Sequence, residues 1–403
     1  MIRAAGLESA AWGVLIALVL FAGLSQGGFW GWGLLGLRVL IGVALILWLG
    51  SAVMRGFLRW PPLPLTLAAL AYLVITAMGA VSSPYPYGSA QALLDTAMFV
   101  AAFFLGYVFR PSCRPVLLAG FGLGAGILGV YGLWQALGLG VTRVSGLYLD
   151  SNHYSGFLAL AVPITLGLAL SSRGFGRGLW VGLAVLLFVN LALTFSWGLL
   201  AVALALAGWL LAGFERQRGW AGVLRGGLLA LSLVGLALLM LVSLSPQLAG
   251  NLGQRTAQLL GDWVGVSLES RARIGRGSLE LVKTHPWLGV GPGNFVYAWP
   301  RYRPPKIETV PEEILHKRIN YAHNDYLQVA SETGLLGLAA FLGFWILVLR
   351  KGPHSPVGTG IKVGLIALLL HGLTDGNLTF IPANAVLTYL FAGLYVGEMN
   401  DPD

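Results

Sequence analysis

The sequence predicts an all-α polytopic membrane protein with about twelve transmembrane helices and one long, partly helical periplasmic loop. Hydrophobic residues make up 57% of the 403 residues and charged residues only 10%, against roughly a quarter charged residues in an ordinary soluble domain. The mean hydropathy is +0.77, and the apolar runs are continuous rather than alternating. These features exclude a soluble globular protein and a β-barrel. The single cysteine, Cys113, excludes an internal disulfide and a Cys-based zinc site.

The predicted spans are apolar runs between charge or turn signals, because a hydrocarbon core about 30 Å thick needs roughly 20 apolar residues per helix. They lie near 10–24, 34–54, 63–81, 90–109, 116–138, 156–172, 179–195, 198–213, 223–244, 326–349, 361–373 and 383–397. Residues 1–244 therefore hold the first nine helices, 245–325 the large periplasmic loop, and 326–403 the last three helices. The first run is interpreted as a retained anchor, because a second span follows it directly.

The distribution of basic residues predicts the orientation, because Lys and Arg in short loops stay on the cytoplasmic side. With the N-terminus inside, 13 of the 25 basic residues fall in inner segments and only Arg38 and Arg143 in short outer loops. The other ten lie in 245–325, and long loops are exempt from the rule. Both termini are therefore predicted to be cytoplasmic. The outward-facing positive charge of the long loop favours an anionic partner on that side.

The outer loop 139–155 carries Arg143, Asp150, Asn152 and His153 between two apolar spans. The helix that follows is predicted to run inward, so that its N-terminal amides and the positive end of its dipole lie beside Arg143. A helix N-terminus with a nearby arginine is typical of an anion site. The alternative is an ordinary interfacial loop with an Asn or Ser cap.

A second outer helix is predicted to start at Ser267 or Ser270 and to end before Pro286. At about 100° per residue, Arg271 and Arg273 point to nearly opposite sides of this helix. Arg273 belongs to a face with the residues at 276 and 280, which predicts a solvated face with ion pairs.

Arg271 instead shares a stripe with Ile274, Ser278 and Val282. A guanidinium on a packed stripe is costly unless it meets an anion or carbonyl groups. We therefore expect Arg271 to bind an anion. The structural alternative is a buried pair with a carboxylate such as Glu269 or Asp325.

Two polar clusters follow late in the chain. His323 and Asn324 stand at the outer mouth of a span, where a histidine can act as a base or donate a hydrogen bond to an anion. A lone interfacial histidine also serves as a cap or a packed residue. The cluster of His371, Asp375 and Asn377 lies in or beside a short span, and we interpret it as bonding between helices rather than as chemistry.

Motifs for other chemistries are absent from the sequence. The six histidines are scattered without HExxH, and neither a P-loop nor a GxGxxG motif is present. Basic residues are not interleaved with aromatic residues in the pattern of a nucleic-acid surface. The sequence therefore predicts no metal, no cofactor and no nucleic-acid partner.

Four segments resemble the O-antigen ligase and polymerase superfamily of bacterial inner-membrane glycan transferases. They are RVSGLYLDSNHYSG at 143–156, the stretch from Arg271 to Phe295 that ends in HPWLGVGPGNF, AHNDYLQVASETGLLG at 322–337, and HGLTDGNL at 371–378. The third is the most specific. Together they cover about a sixth of the chain.

The resemblance implies an inverting, metal-independent glycosyltransferase of the GT-C type in the bacterial inner membrane, with its active site facing the periplasm. Its donor would be a glycan on undecaprenyl diphosphate, and its acceptor either the lipid A core or a growing glycan beside membrane lipid. The resemblance makes Arg143, Arg271, Asn152 and Asn324 diphosphate ligands. It makes Arg271 and His323 the catalytic residues, with His323 activating the acceptor hydroxyl or touching the diphosphate.

The sequence also departs from the family pattern. Trp197 stands where members often carry an arginine in a Ser-Arg-Gly turn, and Gly275 stands where a tryptophan is usual. Asp150 and Ser151 replace the Asn-Pro of the family's NPN.

Four functional interpretations compete. An O-antigen ligase of lipopolysaccharide biosynthesis is preferred because of the long outer loop and the AHNDYLQ signature. A polymerase that uses the same donor is the nearest alternative. A lipid or glycan transporter would show related halves and charged groups near the bilayer midplane, and neither is found; a scaffold would leave Arg271 without a purpose.

Overall fold

The computed structural model describes residues 2–217, 250, 253, 262–304 and 319–400, and this part of the chain is helical without any strand. The first eight α-helices are α1 Ile2–Leu24, α2 Gly31–Arg55, α3 Leu63–Val81, α4 Pro86–Val108, α5 Arg114–Leu137, α6 Ser151–Ser171, α7 Gly174–Leu193 and α8 Gly198–Gln217. They are followed by α9 Asp262–Thr284, α10 Phe295–Ala298, α11 Asp325–Leu349, α12 Pro356–His371 and α13 Pro382–Glu398.

Eleven of the predicted spans coincide with these helices, and the span predicted at 223–244 lies outside the described residues. Eight described helices, α1 to α7 and α11, are long and apolar enough to cross a membrane. The chain is therefore an all-helical, multi-pass membrane protein, while the count of twelve stays a prediction. Arg38 was expected in an outer loop, which is wrong: it lies within α2 and pairs with Asp95 of α4 at 2.8 Å.

Glycines allow two helix pairs at the centre to pack closely. A Cβ atom on Gly106 of α4 would collide with the Leu390 carbonyl of α13, and one on Gly393 of α13 with the Phe103 carbonyl of α4. Small residues at such positions allow backbones to approach, which is how helices associate where lipid tails remove the hydrophobic driving force. Helices α6 and α12 meet in the same way at Gly360.

The two ends of the bundle differ in what they carry. We define the loop-rich end by residues 139–150, 286–304, 319–324 and 372–381. There, the turn after α1 contacts Tyr148 and Ile381. The Ser89 hydroxyl, near the start of α4, donates to the Pro292 carbonyl at 2.8 Å. At the opposite end lie the start of α1 and the loops 56–62 and 109–113. The polar residues of the predicted outer segments thus share one end of the bundle.

A break in α11 fixes the outer segment 286–294 at the loop-rich end. Gly334 has φ 68° inside the helix, a conformation that glycine adopts without the steric cost of a side chain. The Leu335 amide donates to the Pro286 carbonyl at 2.7 Å, and the Val290 amide to the Ser331 carbonyl at 3.0 Å. These bonds hold the end of α9 against the start of α11.

Candidate functional site

The loop-rich end brings together side chains from five parts of the chain: 143–155, 194–196, Arg271, 321–325 and 371–377. Hydrogen bonds connect these segments in pairs. Four residues that the sequence singled out as site residues, Arg143, Asn152, Arg271 and Asn324, each contact a neighbouring member of this group. His323 lies among them.

Arg143 is held at the start of α6. Its Nε donates to the Thr194 carbonyl at 3.0 Å and its Nη2 to Oδ1 of Asn152 at 3.0 Å. The cap of α6 is Asp150, whose carboxylate accepts from the Asn152 amide at 2.7 Å. The alternative interpretation of this loop named Asn or Ser as the cap, and Asp performs the same function because its oxygen satisfies an amide of the first turn. Arg143 therefore lies beside a helix N-terminus, as predicted, and its role in binding an anion stays a prediction.

Arg271 is fixed beside the late cluster. Its Nε donates to the carbonyl of Thr374 at 2.9 Å, one residue before Asp375. Asp325, considered above as its buried partner, accepts instead from the Leu378 and Thr379 amides and from the Thr379 hydroxyl, at 2.7–3.1 Å. That carboxylate therefore ties α11 to the segment before α13.

The prediction that Arg273 lies on a solvated face is wrong. Arg273 is only 8% exposed, and its Nη2 donates to the Pro304 carbonyl at 3.3 Å. Glu280 pairs with Lys283 at 2.7 Å. The buried arc of α9 runs through Ile274, Gly277, Ser278 and Leu281, and at about 100° per residue the arginines at 271 and 273 fall at its two edges.

His323 lies directly before α11 in a strained backbone conformation, with φ 50°. The cap of α11 is Asn324, whose Oδ1 accepts from the Leu327 amide at 2.9 Å while its Nδ2 donates to the Leu373 carbonyl at 2.9 Å. A positive φ costs a non-glycine residue about 1–3 kcal/mol, and such residues concentrate at functional sites. The cap and its cross-link to Leu373 hold His323 in place.

The His323 ring is oriented by Asp375 and Tyr321. Its Nδ1 is buried and lies 3.5 Å from Oδ1 of Asp375, and the ring packs on Tyr321 with centroids 4.1 Å apart. The side chain is still 29% exposed, so part of the ring remains accessible. A carboxylate beside one imidazole nitrogen of a partly exposed histidine is typical of a general base and its orienting group.

Asp375 is a buried carboxylate at the centre of the network. Its Oδ1 accepts from the Tyr321 hydroxyl at 2.9 Å and from the Gly376 amide at 2.8 Å, and Tyr321 in turn contacts Nε2 of His153 at 3.1 Å. Burial alone would raise the pKa of the Asp375 carboxyl, but the interaction with His323, whose Nδ1 is 3.5 Å from Oδ1, and the charges of His323 and His153 hold that pKa well below its usual range. This direction favours the carboxylate form of Asp375.

Tyr321 supplies the matching donor. Burial, together with the charge and hydrogen bond of Asp375, raises the pKa of the Tyr321 hydroxyl well above its usual range. The hydroxyl therefore keeps its proton and donates a hydrogen bond to Asp375. The charges of Asp150 and Arg271 also act on the pKa of the Tyr321 hydroxyl, the first raising it and the second lowering it.

A second layer of polar groups lies behind Asp375. His371 contacts Asn377 at 3.2 Å and Ser196 at 3.5 Å. Asn384 donates to the Asn377 oxygen and to the His153 carbonyl, both at 3.0 Å. These groups are buried, apart from the half-buried Ser196, and buried polar groups that satisfy one another hold one arrangement in place.

Two structural features of this network depend on the sequence around it. A Cβ atom on Gly156 of α6 would collide with the Asn377 side chain, so glycine is required where α6 passes the network. The turn before α8, which carries Trp197 in place of the family arginine, contributes the Thr194 carbonyl to Arg143 and the Ser196 hydroxyl to His371.

The sequence interpretation missed the central positions of Tyr321 and Asp375. Asp375 was assigned to bonding between helices, whereas it also contacts His323. The available signal was the position of Asp375 in a segment that resembles the family's late motif. Tyr321 carried no signal beyond its place two residues before His323.

Within the described residues, no group of three or more His, Cys, Asp and Glu side chains is arranged to hold a metal ion. The positive groups at the loop-rich end are arginines and helix N-termini, which bind phosphate through charge and hydrogen bonds.

Comparison with known proteins gives one family match. The O-antigen ligase family model matches residues 181–342, a range that contains Arg271, His323 and Asn324, while Arg143 precedes it and Asp375 follows it. No curated protein matches the chain.

Proposed function

This chain belongs to the O-antigen ligase and polymerase superfamily, and from that premise we propose that it transfers a glycan from undecaprenyl diphosphate to the lipid A core. The observation that carries the proposal is the approach of Nδ1 of His323 to Oδ1 of Asp375, which are 3.5 Å apart, next to a carbonyl that accepts a hydrogen bond from Arg271. The site combines a base with a cation for the departing phosphate.

In the proposed reaction, Nε2 of His323 accepts the proton of the acceptor hydroxyl. The hydroxyl oxygen attacks the anomeric carbon from the face opposite the phosphate, the bond between that carbon and the phosphate oxygen breaks, and undecaprenyl diphosphate leaves with the electron pair. The configuration at the anomeric carbon inverts because one displacement occurs. The diphosphate linkage of the donor already supplies the driving force.

Asp375 has a defined role in this step. Its Oδ1 faces Nδ1 of His323, so the carboxylate stabilises the imidazolium that forms when Nε2 takes the proton. Its Oδ2 is buried without a hydrogen-bond partner among the described residues, which increases the stabilisation it can give to a neighbouring positive charge.

The arginines would stabilise the negative charge that develops on the leaving diphosphate. The bond from each Nε to a backbone carbonyl, Thr194 for Arg143 and Thr374 for Arg271, fixes the direction of the guanidinium. With its oxygen accepting from Arg143, Asn152 would offer its amide hydrogens to the diphosphate. Asn324 already donates one side-chain amide hydrogen to the Leu373 carbonyl, so it would offer only the second one to the diphosphate.

The decisive experiment uses the purified full chain in detergent with an undecaprenyl-diphosphate-linked glycan, with and without lipid A core acceptor, and product size read on a gel. A single step onto the acceptor, absent without it, is the expected result. A ladder that grows on the carrier without any acceptor would make the chain a polymerase and overturn the assignment of the acceptor. No glycan transfer in either arm would contradict the donor as well.

A further inference from the structure

A chain of three hydrogen bonds runs along α11, from the turn that carries His323 to the start of α10. The Ala322 amide donates to Oε1 of Gln328 at 2.7 Å. Nε2 of Gln328 donates to Oε1 of Glu332 at 2.9 Å, and the same oxygen accepts from the Phe295 amide at 3.1 Å. We call these two side chains the Gln328–Glu332 relay. They connect the residue before His323 with the segment that follows α9.

The residue types match every link of the relay. Gln328 and Glu332 are four residues apart on a helix, so their side chains are neighbours on one face, and both precede the break at Gly334. A carboxamide can accept from one group and donate to another, as Gln328 does here, whereas a carboxylate only accepts. The Glu332 carboxylate accepts from the Gln328 side chain and from the Phe295 and Gly293 amides. An apolar side chain at either position would therefore break the chain of bonds.

The first link of the relay holds a strained position. His323 has φ 50°, and such a conformation persists only where its surroundings over-determine it. On one side, the Asn324 side chain donates to the Leu373 carbonyl. On the other side, the buried Ala322 is bonded to Gln328, which is only 6% exposed. The relay therefore supplies the anchor on the N-terminal side of His323.

The other end of the relay is fixed to the helix that carries Arg271. Phe295 packs in one buried cluster with Ile274 of α9 and with Trp299, and Nε1 of Trp299 donates to the Ile274 carbonyl at 3.1 Å. Ile274 follows Arg271 by three residues, which is within one turn of the helix. The relay therefore runs from the turn of His323 to the part of α9 that contains Arg271.

We propose that Gln328 and Glu332 are positioning residues for glycan transfer, which hold the His323 ring in register with Arg271. The inference rests on the proposed function, because that function makes His323 the base. Loss of the relay leaves the base and the guanidinium in the protein but shifts one relative to the other. A displacement of about 1 Å in a reacting group can cost about 10²-fold in rate. A relay that served stability alone would lower the melting temperature without acting through His323.

Gln328→Met tests the relay, because methionine keeps the length of the side chain and removes both of its hydrogen bonds. The turnover number of the purified full chain is expected to fall about 10- to 100-fold. The KM for the donor should change little, since the carbonyl that anchors Arg271 lies outside the relay. Glu332→Met is expected to change the turnover number in the same direction.

Thr333→Val is the matched control for these variants. Thr333 is buried on the same helix, and its hydroxyl donates to the Val329 carbonyl at 2.8 Å. The substitution therefore removes one hydrogen bond of α11 outside the relay, and its turnover number should equal that of the unmodified chain. Equal losses in Thr333→Val and Gln328→Met would assign the effect to the stability of α11 and overturn the proposal.

The double variant that combines Gln328→Met with His323→Ala identifies the group through which the relay acts. Two substitutions that act through one group are not additive. If the relay positions His323, the double variant is expected to transfer glycan at the rate of His323→Ala alone. A further loss of about 10-fold or more would mean that the relay acts elsewhere, which would contradict the proposal.

Chemical modification of His323 tests the relay without glycan transfer. The purified chain is treated with diethyl pyrocarbonate, which acylates accessible imidazole rings, and the modification of each histidine is measured by mass spectrometry. The His323 side chain is 29% exposed, and Gln328→Met is expected to raise its modification rate about fivefold, as for the loss of one hydrogen bond that restrains the turn. His285, which is exposed and outside the relay, should react equally in both proteins.

The two kinds of measurement separate the relay from the proposed function. An unchanged modification rate of His323 in Gln328→Met would overturn the positioning role, whatever the transfer assay gives. If the unmodified chain transfers no glycan, the proposed function fails, and the modification rate still decides whether the relay holds His323.

Discussion

The two ends of the helix bundle anchor their arginines in different ways. At the loop-rich end, Nε of Arg143 and Nε of Arg271 donate to backbone carbonyls. At the opposite end, Arg55 and Arg110 donate to the carboxylate of Glu8. A carbonyl orients a guanidinium without cancelling its charge, whereas a carboxylate does both.

At the opposite end, the Glu8 pairs tie the start of α1 to the end of α2 and to the loop after α4. In the candidate site, three carboxylates of the described residues have other partners: Asp150 caps α6, Asp325 holds Leu378 and Thr379, and Asp375 faces His323. A leaving diphosphate is stabilised by positive charge placed where its own negative charge develops.

The largest expected effect concerns which side of the membrane each end of the helix bundle faces. Alkaline phosphatase, which is active only after export, is expected to be active when fused near residue 300 and inactive when fused near residue 174, in the turn after α6. This expectation rests on the excess of Lys and Arg in the segments predicted to be cytoplasmic. Enzyme activity at both positions, or only near residue 174, would invert the topology and place the candidate site in the cytoplasm.

His323→Ala is expected to reduce glycan transfer about 10²- to 10⁴-fold, the usual contribution of a general base. The measurement is the initial rate of transfer by purified protein, with the melting temperature as a test of folding. His285→Ala is the control, because His285 lies on the same outer segment and is exposed. Full activity of the His323 variant would remove that residue from the mechanism.

Arg271→Gln is expected to reduce the turnover number about 10²- to 10³-fold, as for loss of one charge-stabilising donor. Arg276→Gln, an exposed arginine on the same helix, should retain the activity of the unmodified protein. If the two substitutions behave alike, the effect comes from the net charge of α9 and not from a contact with diphosphate.

Asp375→Asn is expected to lower the turnover number about 10- to 100-fold, less than His323→Ala, because the base remains but loses the charge that stabilises its protonated form. The KM for the donor should change little, since the arginines that we propose as its ligands are intact. A rise in KM with an unchanged turnover number would assign Asp375 to donor binding or to packing.

The sequence predicted most of the helices and the end of the bundle at which the site lies. Apolar runs locate helices because burial in lipid requires them, and Arg143, Arg271 and His323 could be selected as candidates because each stands at a helix terminus or on a packed stripe. Arg273 could not be placed, because the width of the buried arc of α9 depends on Pro304 and on the residues of α11 that pack against it.

Asp375 shows why the rest of the site was harder to predict. Its partners Tyr321 and His323 are more than fifty residues earlier in the chain. The two segments are held together where the side-chain amide of Asn324 donates to the Leu373 carbonyl. The sequence around Asp375 shows only a carboxylate near a span, for which a hydrogen bond between helices is the ordinary explanation. Only the folded chain shows that this carboxylate faces the proposed base.

The smallest expected effect is that of metal chelation. It tests whether arginines alone stabilise the negative charge of the leaving diphosphate. If the charge that develops on the leaving group is taken up by Arg143 and Arg271, transfer should proceed at an unchanged rate in excess EDTA. The comparison is the same assay with Mg²⁺ added after the chelator. A rate that falls with EDTA and returns with Mg²⁺ would mean that a cation bridges the phosphates, as in enzymes where metal ions neutralise this charge. In that case Arg271→Gln should cost less than 10²-fold, because the metal would carry the charge that we assign to its guanidinium.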